Sequence, residues 1–346
     1  PATTYNEIIR ELDPQAQANF ALSCRTANHA VSAFERRAYK IEYLYGRYFP
    51  NAELIRSFRL LQYQYGILVS GSLVLAYLER ISFQSSDLDV YVNVGRVAPL
   101  ISFLESAGYQ FQPHSHRNAT LFNTVRTITN VTAAQLGIHN NFHVGRIIGV
   151  FNFKLLDNVV QIVVTFHDPF DAIANFHSTC VMNFASFSHV VSLFPYTTFV
   201  SHATVKIPRR QGDSVQAEDE RYQSALAKWN DRGWTVASLP SAADYLRPSS
   251  AFSDGERCPG DRLSWLRQLP PCVNDDPITS SYPPIHWNLD PVRGNSWLQK
   301  VTHGRFVMLY GNYTSNKLQR YYTARQMNVM INGHRKSVRL LSNDPF

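Results

Sequence analysis

Gly66-Ile67-Leu68-Val69-Ser70-Gly71-Ser72, a helical-looking stretch over 73–81, and then Ser86-Asp87-Leu88-Asp89-Val90-Tyr91-Val92 decide the fold of this 346-residue chain. An apolar run that stops at Gly-Ser reads as a buried strand ending abruptly at a turn. Leu73, Ala76, Tyr77 and Arg80 then recur at helical spacing, and 87–92 alternates polar and apolar residues as a strand does. Side chains two apart on a strand share a face, so Asp87 and Asp89 project together, roughly 6.5–7 Å apart at Cα. Two acids on one face repel each other unless a cation sits between them, which points to a divalent metal.

The Gly-Ser turn completes such a site. Glycine lets the backbone approach a bulky anion, the N–H groups opening the next helix favour phosphate, and the Ser72 hydroxyl adds a donor. A metal joining carboxylates to a triphosphate whose tail lies at a helix start is the layout of phosphoryl and nucleotidyl transfer. In the blander reading Ser86 and Asp87 are turn residues and Asp89 is an ordinary exposed strand position. The strand-helix-strand frame around the acids favours the functional reading.

Gly71-Ser72 followed by Asp87-Leu88-Asp89 resembles the signature of the nucleotidyltransferase superfamily, the fold of polymerase beta and the poly(A) polymerases. Phe58-Arg59-Leu60-Leu61-Gln62 through Val92, together with Phe176-His177-Ser178-Thr179-Cys180-Val181-Met182-Asn183-Phe184, is similar to uncharacterised nucleotidyltransferase-like proteins of basidiomycete fungi. The similarity covers about residues 55–275 and thins towards Cys258-Pro259-Gly260-Asp261-Arg262-Leu263-Ser264-Trp265. It implies an α/β (α+β) fold with a small mixed-sheet core. Gly71 and Ser72 would hold the phosphates of a nucleoside triphosphate, and Asp87 and Asp89 would hold Mg²⁺ or Mn²⁺ and serve catalysis.

The chain departs from the superfamily at the third acid, which the resemblance places on a neighbouring core strand. The matching run is Asn158–Thr165, and the aligned position is Gln161. A glutamine amide cannot take a proton from an attacking hydroxyl and is a poor ligand for Mg²⁺. Asp157 and Asp168, near the two ends of that run, are the substitutes if the register differs. Two readings follow: a nucleotidyltransferase with an altered base, or an inactive fold that binds a nucleotide or serves as an adaptor for protein or nucleic acid.

Composition fits either reading. Apolar residues make up 45% of the chain, enough for a real core, and no window has the length and apolarity of a membrane span. No charged-then-apolar leader opens the sequence, and Cys24, Cys180, Cys258 and Cys272 lack metal-ligand spacing, so the expectation is an intracellular protein, cytoplasmic or nuclear, with reduced core thiols. Asn118, Asn130 and Asn312 head formal glycosylation sequons that read as chance matches.

Residues 1–57 form a helical N-terminal extension. Asp13-Pro14 is an N-cap and first-turn pair, and the short helices around Leu22-Ser23-Cys24-Arg25-Thr26 resemble a degenerate F-box. That resemblance implies docking to a ubiquitin-ligase adaptor; the alternative is helices that cap the fold.

Within the core, taken as 58–200, residues 97–108 read as a helix, and 146–156 with 158–165 as a hairpin through Asp157-Asn158. His114 and His116, two apart, could share a strand face, but no third ligand accompanies them. Lys154 alternates with Asn152 and either reaches a phosphate or is solvated. Asp168-Pro169 caps a helix over 170–176, and Val181, Met182, Phe184, Phe187, Val190 and Val191 read as a packed helix face. His177-Ser178-Thr179 is then a structural turn or part of the nucleotide pocket.

The C-terminal region, 201–346, changes character. All five tryptophans fall between 229 and 297, and a helix is expected over 218–231, ending at Gly233. Residues 301–346 carry seven Lys/Arg against one acid, most of the chain's net charge of +7. Cations mixed with Tyr321 and Tyr322 suit single-stranded nucleic acid or another polyanion.

Overall fold

The apolar run before Gly71 is the strand its sequence predicts, and it lies near the middle of an eight-stranded sheet. A computed structural model of the chain describes residues 2–83, 86–127, 147–166, 168–207, 216–247, 250–270 and 287–310. The basic segment beyond 310, Cys272, Asn130 and Asn312 lie outside them.

Five helices open the chain: α1 (Ala2–Glu11), α2 (Pro14–Ser23), α3 (Arg25–Ala38), α4 (Ile41–Tyr45) and α5 (Ala52–Tyr65). Next come β1 (Leu68–Ser70), α6 (Ser72–Glu79), β2 (Leu88–Asn93), α7 (Val97–Ser106), β3 (Gln110–Gln112), α8 (His116–Thr127), β4 (Ile147–Leu155) and β5 (Asn158–Thr165). They are followed by α9 (Pro169–Ile173), β6 (Asn183–Ala185), β7 (His189–Ser192), α10 (Pro195–Phe199), β8 (Ala203–Val205), α11 (Gln216–Asp231), β9 (Thr235–Ala237) and α12 (Ala242–Leu246). The last strands are β10 (Gly255–Arg257), β11 (Trp265–Gln268), β12 (Trp297–Thr302) and β13 (Arg305–Tyr310).

The large sheet runs β11-β7-β6-β1-β2-β5-β4-β3. Among the described strands of this sheet only β2 and β5 pair in parallel, with α7, β3, α8 and β4 intervening between them as the crossover. The fold is therefore mixed α+β, as expected. β10-β12-β13 and β8-β9 form two smaller sheets.

Strand alternation divides the large sheet into two buried faces. Val69, Val90, Val92, Ile162 and Val164 point into one cluster with Phe49, Phe58 and Leu75 from α5, α6 and the segments before them. Leu68, Tyr91, Val163, Phe184 and Val191 point into the other, with Phe170, Phe194 and Trp297. Each fully buried aliphatic side chain contributes about 1.5–3 kcal/mol, so the central strands read as continuous apolar runs.

The N-terminal helices form where the sequence places them. Asp13 accepts a hydrogen bond from the Ala16 amide at 2.9 Å and Pro14 opens α2. α1 and α3 share a small cluster of their own built on Ile9, Val31 and Phe34.

Several expectations are corrected. Residues 181–191 are not a helix: β6 and β7 form a hairpin there. The helix after Asp168 stops at Ile173. His116 opens α8, so His114 and His116 share no strand face. Cys24 is exposed at the N-cap of α3, whereas Cys180 and Cys258 are buried. The Asp157-Asn158 hairpin is present, with its turn at Leu156-Asp157. β11, from the aromatic C-terminal region, pairs with β7 and extends the core sheet past residue 200. No helix among the described residues is long and apolar enough to cross a membrane.

Candidate functional site

The register of the sheet lines up one polar row. Ser70 faces Asp89, Asp89 faces Gln161, Gln161 faces Asn152, and Asn152 faces Gln112, across five adjacent strands. Directly paired residues share a face, so these side chains stand on the side of Tyr91 and Val163, one or more positions nearer its polar end. Ser70 is buried and donates from Oγ to the Asn183 carbonyl at 2.5 Å. The row is therefore anchored at β1 and opens towards the exposed Gln112.

Gly71 is the reason Asp89 can lie where it does. Its φ of +85° and ψ of −162° suit only glycine, and a Cβ there would overlap the Asp89 carboxylate. The backbone turns directly over that acid and starts α6 at Ser72, where no side chain caps the first amides. Unsatisfied N–H groups at a helix start favour an anion.

Asp87 lies just before β2 and is exposed; Asp89 is half-buried in it. Burial, with Asp87 adding to it and Lys228 opposing it, pushes the Asp89 carboxyl up to about 7. Lys228 comes from α11, and its own pKa is lowered by burial and Arg232 while Asp89 and Asp87 hold it up. Arg232, one turn on, stacks over Phe83 at 3.9 Å and over Trp229 at 5.0 Å. Lys228 of α11 thus faces the two acids at the start of the central strand β2.

Gln161 stands beside Asp89 in register, and its Nε2 donates to Asn152 Oδ1 at 3.0 Å. The alternative acids are elsewhere. Asp157 is exposed in the β4–β5 turn. Asp168 lies beyond the other end of β5, where its Oδ1 accepts from the Phe170 amide at 2.8 Å and burial pushes it up to about 6. No group of three or more His, Cys, Asp or Glu among the described residues is arranged to hold a metal. Asp87 and Asp89 are the two carboxylates from which a hard, oxygen-seeking cation would draw its protein ligands.

The His177-Ser178-Thr179-Cys180 stretch is a structural turn. Ser178 and Cys180 are fully buried, and burial pushes the Cys180 thiol up to about 11. The Cys180 amide donates to Thr204 Oγ1 at 3.0 Å, and Asn183 Nδ2 donates to the Cys180 carbonyl at 2.7 Å. Neither side chain is placed to attack a substrate. His177 lies at the margin of the site: its Nδ1 is 2.8 Å from Ser178 Oγ, its ring meets Tyr222 of α11 edge-on, and burial with Lys228 holds its pKa down at about 4.

Lys228 is the site residue that reading the sequence did not single out, and Asn152 reads in the sequence only as a neighbour of Lys154. Lys228 lies in the last turn of α11, a common place for a surface cation, and nothing in its local sequence points back to Asp89. No family model, curated protein or solved structure matches the chain.

Proposed function

We propose that the chain contains a nucleotidyltransferase-like core that binds a noncovalent nucleoside triphosphate at the Gly71 turn, and that it acts as a binding module without nucleotidyl transfer. The observation that carries this reading is the Asp89–Gln161–Asn152 row: the position beside Asp89 holds an amide already engaged to a second amide. A site of this composition can attract and orient a phosphate chain, and it has no carboxylate there to accept the proton of an attacking hydroxyl.

Each residue has a part in the binding. The turn at Gly71 and Ser72 presents backbone donors and a hydroxyl to phosphate oxygens. Lys228 adds positive charge from the facing helix. Asp87 and Asp89 would hold one Mg²⁺ or Mn²⁺, which would neutralise the phosphates. Gln161 is left to hydrogen-bond a sugar or base.

Calorimetric titration of the four nucleoside triphosphates with Mg²⁺, on wild type and on the Asp87→Asn/Asp89→Asn variant, tests the reading. Metal-dependent binding that the variant loses supports it; no binding by the wild type refutes it. Incubation with labelled triphosphate and cell extract tests the second half. Labelled product that disappears in the variant would make the chain a transferase.

A further inference from the structure

The far end of α6 borders a cleft separate from the Gly71 turn, and its chemistry goes beyond the nucleotide reading. The cleft has a volume of about 280 Å³ and lies between the α1–α2 turn, the end of α10 and Trp265. Glu11 at the end of α1, Asp13 before α2 and Glu79 at the end of α6 bring carboxylates to it from three places in the chain.

These acids are within a ligand's reach and short of counter-charge. Glu11 is exposed, and the Glu79 side chain keeps 17% of its surface exposed. Asp13 gives Oδ1 to the Ala16 amide. Neither Glu11 nor Asp13 has an ion-pair partner among the described residues. His202 Nε2 stands 3.6 Å from Glu79, too far for a hydrogen bond. Arg80 also lines the cleft, but its Nε and Nη1 are shut off from solvent, and its Nη2 donates to the Leu12 carbonyl at 3.4 Å. Burial pushes Glu79 up to about 7 even with Arg80 beside it, so the arginine leaves that carboxylate under-compensated.

The excess of negative charge repels phosphates and carboxylates. A metal ion is a poor fit, because no group of three or more His, Cys, Asp or Glu among the described residues is arranged to hold one. The remaining lining is largely apolar. Trp265 meets Phe199 edge-on with ring centroids 5.4 Å apart, and meets Tyr39 in the same way at 6.3 Å. Acids beside an apolar wall match a hydrocarbon chain that ends in ammonium groups. Three carboxylates set against one arginine call for two such groups.

We propose that this cleft binds an aliphatic diamine, with one ammonium on Glu79, the other on Glu11 and Asp13, and the chain against Phe199 and Trp265. The full chain is titrated calorimetrically at pH 8 and physiological salt with 1,4-diaminobutane, 1,5-diaminopentane, butylamine and MgCl₂. At least one diamine binds, and butylamine binds about tenfold or more weakly, the loss expected for one charge-assisted contact. Glu79→Gln causes a similar loss, whereas Asp87→Asn/Asp89→Asn leaves diamine affinity unchanged.

Absence of binding by both diamines overturns the proposal. Butylamine binding as tightly as the diamines overturns it too, since the second ammonium then finds no partner. Mg²⁺ displacing the diamine at equal concentration replaces it with a plain cation site. Affinity kept in Glu79→Gln and lost in Asp87→Asn/Asp89→Asn places the amine at the Gly71 turn and also overturns it. If Glu79→Gln does not fold, judged by circular dichroism, the exposed Glu11→Gln and the comparison of diamine with butylamine on wild-type protein decide.

Discussion

Asp89 carries the clearest energetic signature at the residue scale. A carboxyl raised to about 7 in the folded chain binds its proton more tightly than in the unfolded chain. Between the unfolded value near 4 and about 7 the native state holds the extra proton, so this group's contribution to stability falls as pH rises through that window. Asp89→Asn removes the penalty. The variant is more stable than wild type at pH 8, by an amount on the order of 1–3 kcal/mol, and the difference closes as pH falls towards 4. Urea denaturation at several pH values measures it; a variant less stable at pH 8 contradicts the burial of an under-compensated charge. On the proposed nucleotide reading the same proton would compete with a metal-bound nucleotide, and the expected outcome is an affinity that rises with pH up to about 7, by at most about tenfold per unit. Gly71→Ala acts through geometry. It places a methyl group on the Asp89 carboxylate at a positive φ, costs about 1–3 kcal/mol and, on the proposed reading, abolishes nucleotide binding, both readable from one denaturation series and one titration.

At the element scale, legibility followed burial. β2 alternates polar and apolar positions and β1 is an apolar run stopped by Gly-Ser, and the pairing of Asp89 with Gln161 joins β2 to the apolar run of β5. The β6–β7 hairpin has no such contrast. Every residue from 178 to 194 is buried, so no polar face reveals a period of two, and the spacing of Val181, Phe184, Phe187 and Val191 mimics a helix equally well. What makes it a hairpin lies outside the segment: β1 on one side, β11 on the other, and Ser186, whose amide and Oγ both donate to the His189 carbonyl. Lys228 escaped notice for a related reason, because a helix is recognisable from its own sequence while the surface it faces is not. The hairpin reading has its own test. Phe184 is fully buried on β6 against Phe170, with ring centroids 5.7 Å apart, so Phe184→Ala lowers stability by about 3–5 kcal/mol in urea denaturation. A loss under about 1 kcal/mol would mean that β6 does not carry the second core.

At the scale of the whole molecule, the question is whether the N-terminal helices are free to meet a partner. Arg267, on edge strand β11, forms an ion pair with Glu35 of α3 and reaches Gln17 of α2. Its guanidinium lies over Tyr39 at 4.5 Å and over Trp265 at 5.1 Å. Arg80 adds a contact to Leu12 and lies over Phe34 at 5.5 Å. Two arginines from distant parts of the chain thus fasten a helical unit whose own core rests on Ile9, Val31 and Phe34. A core so small contributes little, so the unit's order depends on those fastenings. Glu35 is partly exposed and is rehydrated once its partner is lost, whereas the stacked aromatic contacts are not replaced. Arg267→Ala therefore raises hydrogen-exchange rates across α1–α3 by about tenfold or more, corresponding to about 1.5–3 kcal/mol of local stability, while β1, β2 and β5 keep their protection. Equal loss throughout would show that the helices and the sheet unfold as one unit. The helices would then be a cap on the fold, and a partner would have to read their outer surface in place.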